Sequence, residues 1–199
     1  MESVIEATKL HELLASLVSY PEPGCHARVA ECRAALSELQ PEAVPLMTKF
    51  AQAIAPMSLE DVQELFTRTF DLNPVCSLEI GWHLFGENYD RGALMVKMRQ
   101  ELRRYGIAES EELPDHLHHC LKLLGRMEPE RAQEFAGACV LPAMEKMLAA
   151  FQGKAQGKET ISAAALAPAT TPYAGVIEAI WLVLNSLYAG PAPKGACHD

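Results

Sequence analysis

The chain has 199 residues, 49% hydrophobic and 22% charged, enough apolar material for one core of ordinary size and too much for wholesale disorder. A net charge of −9 argues against a nucleic-acid binder, because neutralising phosphates needs clustered Lys and Arg. Residues 1–6 carry neither a basic nor an apolar leader pattern, and no apolar run approaches the roughly 20 residues of a membrane span, so a cytoplasmic protein with no membrane span is expected.

Helical periodicity runs through the chain. Leu10, Leu13, Leu14, Leu17 and Val18 form the stripe of a first helix, ended by Pro21, Pro23 and Gly24. Val29, Cys32, Leu36 and Leu39 mark a second helix, and Val44, Met47, Phe50, Ala51 and Ile54 a third. Ser58 with Asp61 three residues on is an N-cap signature opening the helix of Val62, Leu65, Phe66, Thr69 and Phe70. Pro74 is read as the first residue of a short helix that runs through Phe85 and breaks at Gly86.

Asn88 or Asp90 then starts a long helix with Leu94, Met98, Leu102 and Tyr105 inward and Gly106 as its C-terminal stop. Its basic run (Lys97, Arg99, Arg103, Arg104) reads as a solvated face. Pro114 is expected to open a helix carrying Leu117, Cys120, Leu121 and Leu124. A further run from Phe135 to Phe151 contains Pro142, which should kink or split it. Residues 152–172 are rich in Gly, Ala, Thr and Pro and read as loop; Tyr173 to Tyr188 restore the helix.

No strand pattern or repeat occurs. The expectation is an all-α, single-domain bundle of about eight to ten helices over residues 1–189, with a flexible tail at 190–199. Six cysteines without a CxxC read as reduced, mostly buried small hydrophobes.

No Gly-rich phosphate loop, no HExxH and no Gly-x-Ser-x-Gly elbow is present, so the chain is read as not an enzyme. The nearest approach to a metal site is His116, His119 and Cys120, which on a helix would stand at i, i+3 and i+4 on one face. A metal-binding or redox-linked helical protein is therefore the alternative reading, with buried packing of Cys120 the simpler account. His83 and Glu87 read more simply as a helix-end hydrogen bond than as an acid–base pair. Trp82 and Phe85 read as core or as anchors for a bound peptide. Gly92, in the first turn of its helix after Asp90 and Arg91, hints at close helix–helix approach.

The blocks His83-Leu84-Phe85-Gly86-Glu87 with Asp90-Arg91-Gly92, and Glu112-Leu113-Pro114-Asp115-His116-Leu117, together with Glu64-Leu65-Phe66, Phe70-Asp71 and Ser77-Leu78, resemble the NarJ/TorD superfamily of molybdoenzyme maturation chaperones. The likeness is closest to the NarJ-like delta-subunit branch and covers roughly residues 10 to 150.

The resemblance implies a system-specific assembly chaperone. Its partner would be the apo catalytic subunit of a DMSO-reductase-family molybdoenzyme, bound through its N-terminal segment and held for molybdenum cofactor insertion. The chaperone itself would bind no cofactor stably; bis-molybdopterin guanine dinucleotide belongs to the client. Asp115 and His116 inherit a place in the peptide-binding groove, and Trp82, His83, Phe85, Glu87 and Arg91 a further candidacy from the other block. Met95, Met98, Met127, Met144 and Met147 could supply adaptable groove walls.

Overall fold

The computed structural model describes residues 2–153 and 171–190, with side chains from Thr8 onward. Its elements in order are α1 (Glu2–Leu17), α2 (Cys25–Leu39), α3 (Val44–Ile54), α4 (Leu59–Thr69), α5 (Ile80–Phe85), α6 (Tyr89–Arg104), α7 (Leu117–Leu124), α8 (Pro129–Phe135), α9 (Leu141–Phe151) and α10 (Tyr173–Tyr188). 3₁₀ turns occupy Pro41–Ala43 and Pro74–Cys76, and a π-helical turn occupies Ala136–Val140. Among the described residues there is no strand, only an isolated antiparallel bridge between Glu79 and His116. The fold is all-α. Most of the expected loop at 152–172 and of the expected tail at 190–199 lies outside the described residues.

The described residues divide into two compact units: 2–18, 78–143 and 184–190 form one, and 19–77, 144–153 and 171–183 the other. The second is built on an aromatic cluster. Phe66 meets Phe70 and Tyr173 edge-on at 5.0 and 5.7 Å, and Phe50 lies 4.8 Å from Tyr173. Ser58 starts α4 with a reciprocal capping box: its hydroxyl accepts the Asp61 N–H, and the Asp61 carboxylate accepts the Ser58 N–H at 2.9 Å. On α2, Val29, Cys32 and Leu36 are buried as the stripe predicts, but Leu39, the last residue of the helix, is exposed.

In the first unit α1 packs against α7. Gly125 makes this possible, since a Cβ there would lie 2.7 Å from the His11 Cβ. Thr8 donates to the Gly125 carbonyl at 2.6 Å, and His11 shares a hydrogen bond of 3.0 Å with the Tyr188 hydroxyl. Gly106 ends α6 at φ +64°, with Ile107 N–H bonded to Leu102 C=O and Gly106 N–H to Arg103 C=O, the paired bonds of a Schellman stop.

Two boundaries differ from the sequence reading. The helix expected from Pro74 through Phe85 is a single 3₁₀ turn, a break, and α5 from Ile80. The break has a partner: Leu117 N–H donates to Leu78 C=O at 2.8 Å and Ile80 N–H to Asp115 C=O at 2.9 Å, so the backbone around Glu79 pairs with the segment before α7. That pairing also delays α7, which begins at Leu117 with His116 as its cap rather than at Pro114. The run that contains Pro142 is divided as expected: α8 ends at Phe135, the π turn spans Ala136–Val140, and α9 begins at Leu141. The π turn, with Leu141 N–H reaching back to Ala136 C=O, widens the spiral where a proline would meet the carbonyl four residues earlier.

Candidate functional site

Asp115 sits just ahead of α7 with its side chain fully buried, and its Oδ2 accepts from Arg91 Nε of α6 at 3.2 Å. The Arg91 guanidinium also lies over the Trp82 ring, 5.7 Å from its centroid. Gly81 is the residue that admits the carboxylate: a Cβ there would lie 2.5 Å from Asp115 Oδ2 and 3.1 Å from both Arg91 Cγ and Leu94 Cδ2. Burial, with the nearby Asp115 charge adding to it, pushes the Glu79 carboxyl above its ordinary range.

The close approach inferred from glycine therefore exists, but at Gly81. A Cβ on Gly92 would meet nothing within 4 Å.

His116 caps α7 through its ring, Nδ1 accepting the His118 N–H at 3.2 Å. An accepting Nδ1 leaves Nε2 as the protonated nitrogen, 3.9 Å from Glu112 Oε2. His119 Nδ1 donates to the Leu113 carbonyl at 3.0 Å, and its Nε2 faces the Ser110 hydroxyl at 3.2 Å. The His118 ring stands edge-on to both neighbours, at 5.5 and 4.1 Å.

Burial lowers all three imidazoles. His116 and His118 fall to about 3, the charge of His119 assisting in both, and His119 is lowered as well. The three rings are neutral near pH 7. Cys120 is fully buried and its thiol is pushed well above its usual value, again by burial first. Among the described residues no three His, Cys, Asp or Glu side chains converge as ligands would around a metal ion. The i, i+3, i+4 geometry does not form because His116 stands outside the helix as its cap.

In the same unit, α6, α8 and the π turn border a groove of about 380 Å³. Phe85, Leu94, Met98, Met127, Phe135 and Cys139 give it an apolar lining, and Lys97, Glu101, Arg131 and Glu134 supply the charged part. Two of the five methionines picked out from sequence thus line a groove. Met144 and Met147 are fully buried core instead. Of the other candidates, Trp82 and His83 are half-buried and Glu87 is exposed. Sequence reasoning passed over Glu101, Arg131, Phe135 and Cys139, since nothing local to α8 announces that its inner face borders an opening.

Fold and site together define an all-α protein with a methionine-lined groove and a buried ion pair. Its family is fixed by sequence comparison: residues 30–156, more than half of the chain, match the nitrate reductase delta subunit family, and the chain belongs to it. The match is in line with the NarJ-like resemblance carried by the two motif blocks. The relatives include the nitrate reductase molybdenum cofactor assembly chaperone NarJ of Escherichia coli K12, 29% identical over 126 residues, which is 61% of this chain and 53% of the relative. The protein of the same description from Escherichia coli O157:H7 matches with the same figures. The chain spans about half the length of the curated relatives it matches.

Proposed function

We propose that the chain is a non-enzymatic assembly chaperone for a molybdoenzyme of the DMSO-reductase family. It binds the N-terminal segment of the apo catalytic subunit and holds the subunit until bis-molybdopterin guanine dinucleotide has been inserted. The molybdenum cofactor is the client's cargo. The chaperone works in the cytoplasm, and no helix among the described residues is long and apolar enough to cross a membrane.

The observation that carries this reading is the groove. All of its lining residues fall inside the family-matching segment, and its methionine and aromatic walls suit a peptide that must bury apolar side chains to offset the entropy lost on ordering. Asp115 and His116 are not among its lining residues. Their side chains are 0 and 5% exposed, so in this conformation they shape the site rather than touch the client.

Calorimetric titration with a peptide of the first ~40 residues of a DMSO-reductase-family catalytic subunit from the same organism tests the reading, because groove burial gives a negative heat-capacity change. Binding is expected for the wild type and a loss of at least about tenfold for Ala138→Trp, which fills the groove without removing a contact. Absence of binding heat, or undiminished binding by the filled variant, refutes it.

A further inference from the structure

Glu101 of α6 and Arg131 of α8 both line the groove and join its two walls by an ion pair of 2.9 Å between Arg131 Nη2 and Glu101 Oε1. The other carboxylate oxygen, Oε2, is shielded from solvent and has no hydrogen-bond partner. A shielded carboxylate oxygen without a donor is unfavourable, and a group that supplies one gains more than it would in water. The pair is also lopsided. Arg131 keeps 42% side-chain exposure against 26% for Glu101, so the arginine can swing to solvent more cheaply than the glutamate.

We infer that Glu101 is the charge-reading residue of the groove: it accepts a Lys or Arg of the bound segment, carried within about one helical turn of the apolar side chain that enters beside Phe85, Leu94 and Met98. Arg131 is the resident competitor. It occupies one oxygen in the empty groove and yields it, in whole or part, to the incoming cation. The groove thus selects a segment with an apolar anchor and an adjacent positive charge, and resists a neutral or acidic one. This rests on the groove being the client site, as proposed above, and adds which client chemistry it accepts.

A double-mutant cycle by calorimetry separates the two claims. The proteins are the wild type, Glu101→Gln and Arg131→Gln; the probes are the synthetic ~40-residue N-terminal peptide and its single Lys→Gln or Arg→Gln versions. Glu101→Gln should weaken the parent peptide about tenfold or more, the usual worth of a charge-assisted hydrogen bond. One peptide substitution should cost the same on the wild type and almost nothing on Glu101→Gln. Arg131→Gln should tighten binding, because it frees the second oxygen.

Equal weakening by Glu101→Gln and Arg131→Gln overturns the inference, since a strut that only ties α6 to α8 would behave that way. Unchanged binding by Glu101→Gln overturns it too while leaving the chaperone reading intact. No binding of any peptide to the wild type removes both. The peptide series on the wild type keeps the test decisive should either variant fold poorly.

Discussion

Arg91→Met strands the Asp115 carboxylate in a site with no solvent access. Removing one partner of a buried ion pair costs roughly 3–5 kcal/mol. The Arg91 side chain is 19% exposed, so part of its desolvation is never incurred and the lower end, about 3 kcal/mol, is expected. Loss of the stack on Trp82 adds about 0.5–1 kcal/mol. Asp115→Asn leaves the opposite orphan, but Arg91 can turn toward water, so about 1–2 kcal/mol is expected there. The double variant should fall short of the sum by about 0.5–3 kcal/mol, the coupling usual for side chains in contact. Urea denaturation followed by circular dichroism measures all three. Additive losses, or an Arg91→Met cost below about 0.5 kcal/mol, would show that the pair does not organise the α5–α6 junction, and Asp115 would have to be sought as a client contact after all.

The two glycines of the α5–α6 region should respond oppositely to alanine in the same denaturation assay: Gly81→Ala costs about 1–3 kcal/mol by driving its Cβ into Asp115 and Leu94, whereas Gly92→Ala meets open space and gains up to about 1 kcal/mol of helix propensity. Acid should destabilise the fold through the α7 histidines. His116 and His118 titrate near 3 when folded and near 6.5 when unfolded, so their contribution is complete above about pH 6.5 and is lost as pH falls toward 3, at up to about 1.4 kcal/mol per pH unit for each ring. A urea midpoint that stays constant between about pH 7.5 and about pH 5, or imidazole NMR signals of these residues titrating near 6.5, would contradict the burial argument. Ala138→Trp should abolish peptide binding while leaving the denaturation midpoint within about 1 kcal/mol of wild type, provided the indole fills the groove and not the core.

What could be read from the sequence was what is encoded locally. The Ser58–Asp61 capping box, the Asn88 start of α6 and the Gly106 stop each depend on residues within a turn or two of one another, and each is found as read. The α1 stripe is buried at Leu10, Leu14, Leu17 and Val18 because helical period and core face coincide there. Failures came where a distant segment intervened. Ser77 to Glu79 leave the helical path because α7's approach offers backbone partners 35 to 39 residues away, between Leu78 and Leu117 and between Ile80 and Asp115. Asp115 and Arg91 are 24 residues apart, and no periodicity couples them. The groove was half legible: Phe85, Met98 and Met127 were named from sequence, while Glu101 and Arg131 looked like ordinary surface charges.

The two motif blocks that prompted the family resemblance turn out to be halves of one arrangement. The first supplies Arg91 on α6, the second Asp115 ahead of α7, and Gly81 is the gap through which they meet. The same gap holds Leu94 within contact distance, and Leu94 and Phe85 are groove residues. A side chain that is fully buried can influence a ligand only through the neighbours it fixes. Asp115 fixes the first turns of α6, and α6 presents Leu94, Met98 and Glu101 to the opening. On this geometry Asp115→Asn should weaken peptide affinity by the same factor for peptides with and without their Lys and Arg residues, because it shifts a wall and breaks no direct charge contact. Glu101→Gln should discriminate between those peptides. Finding charge discrimination at Asp115 and none at Glu101 would exchange their roles and require the client to penetrate behind α6.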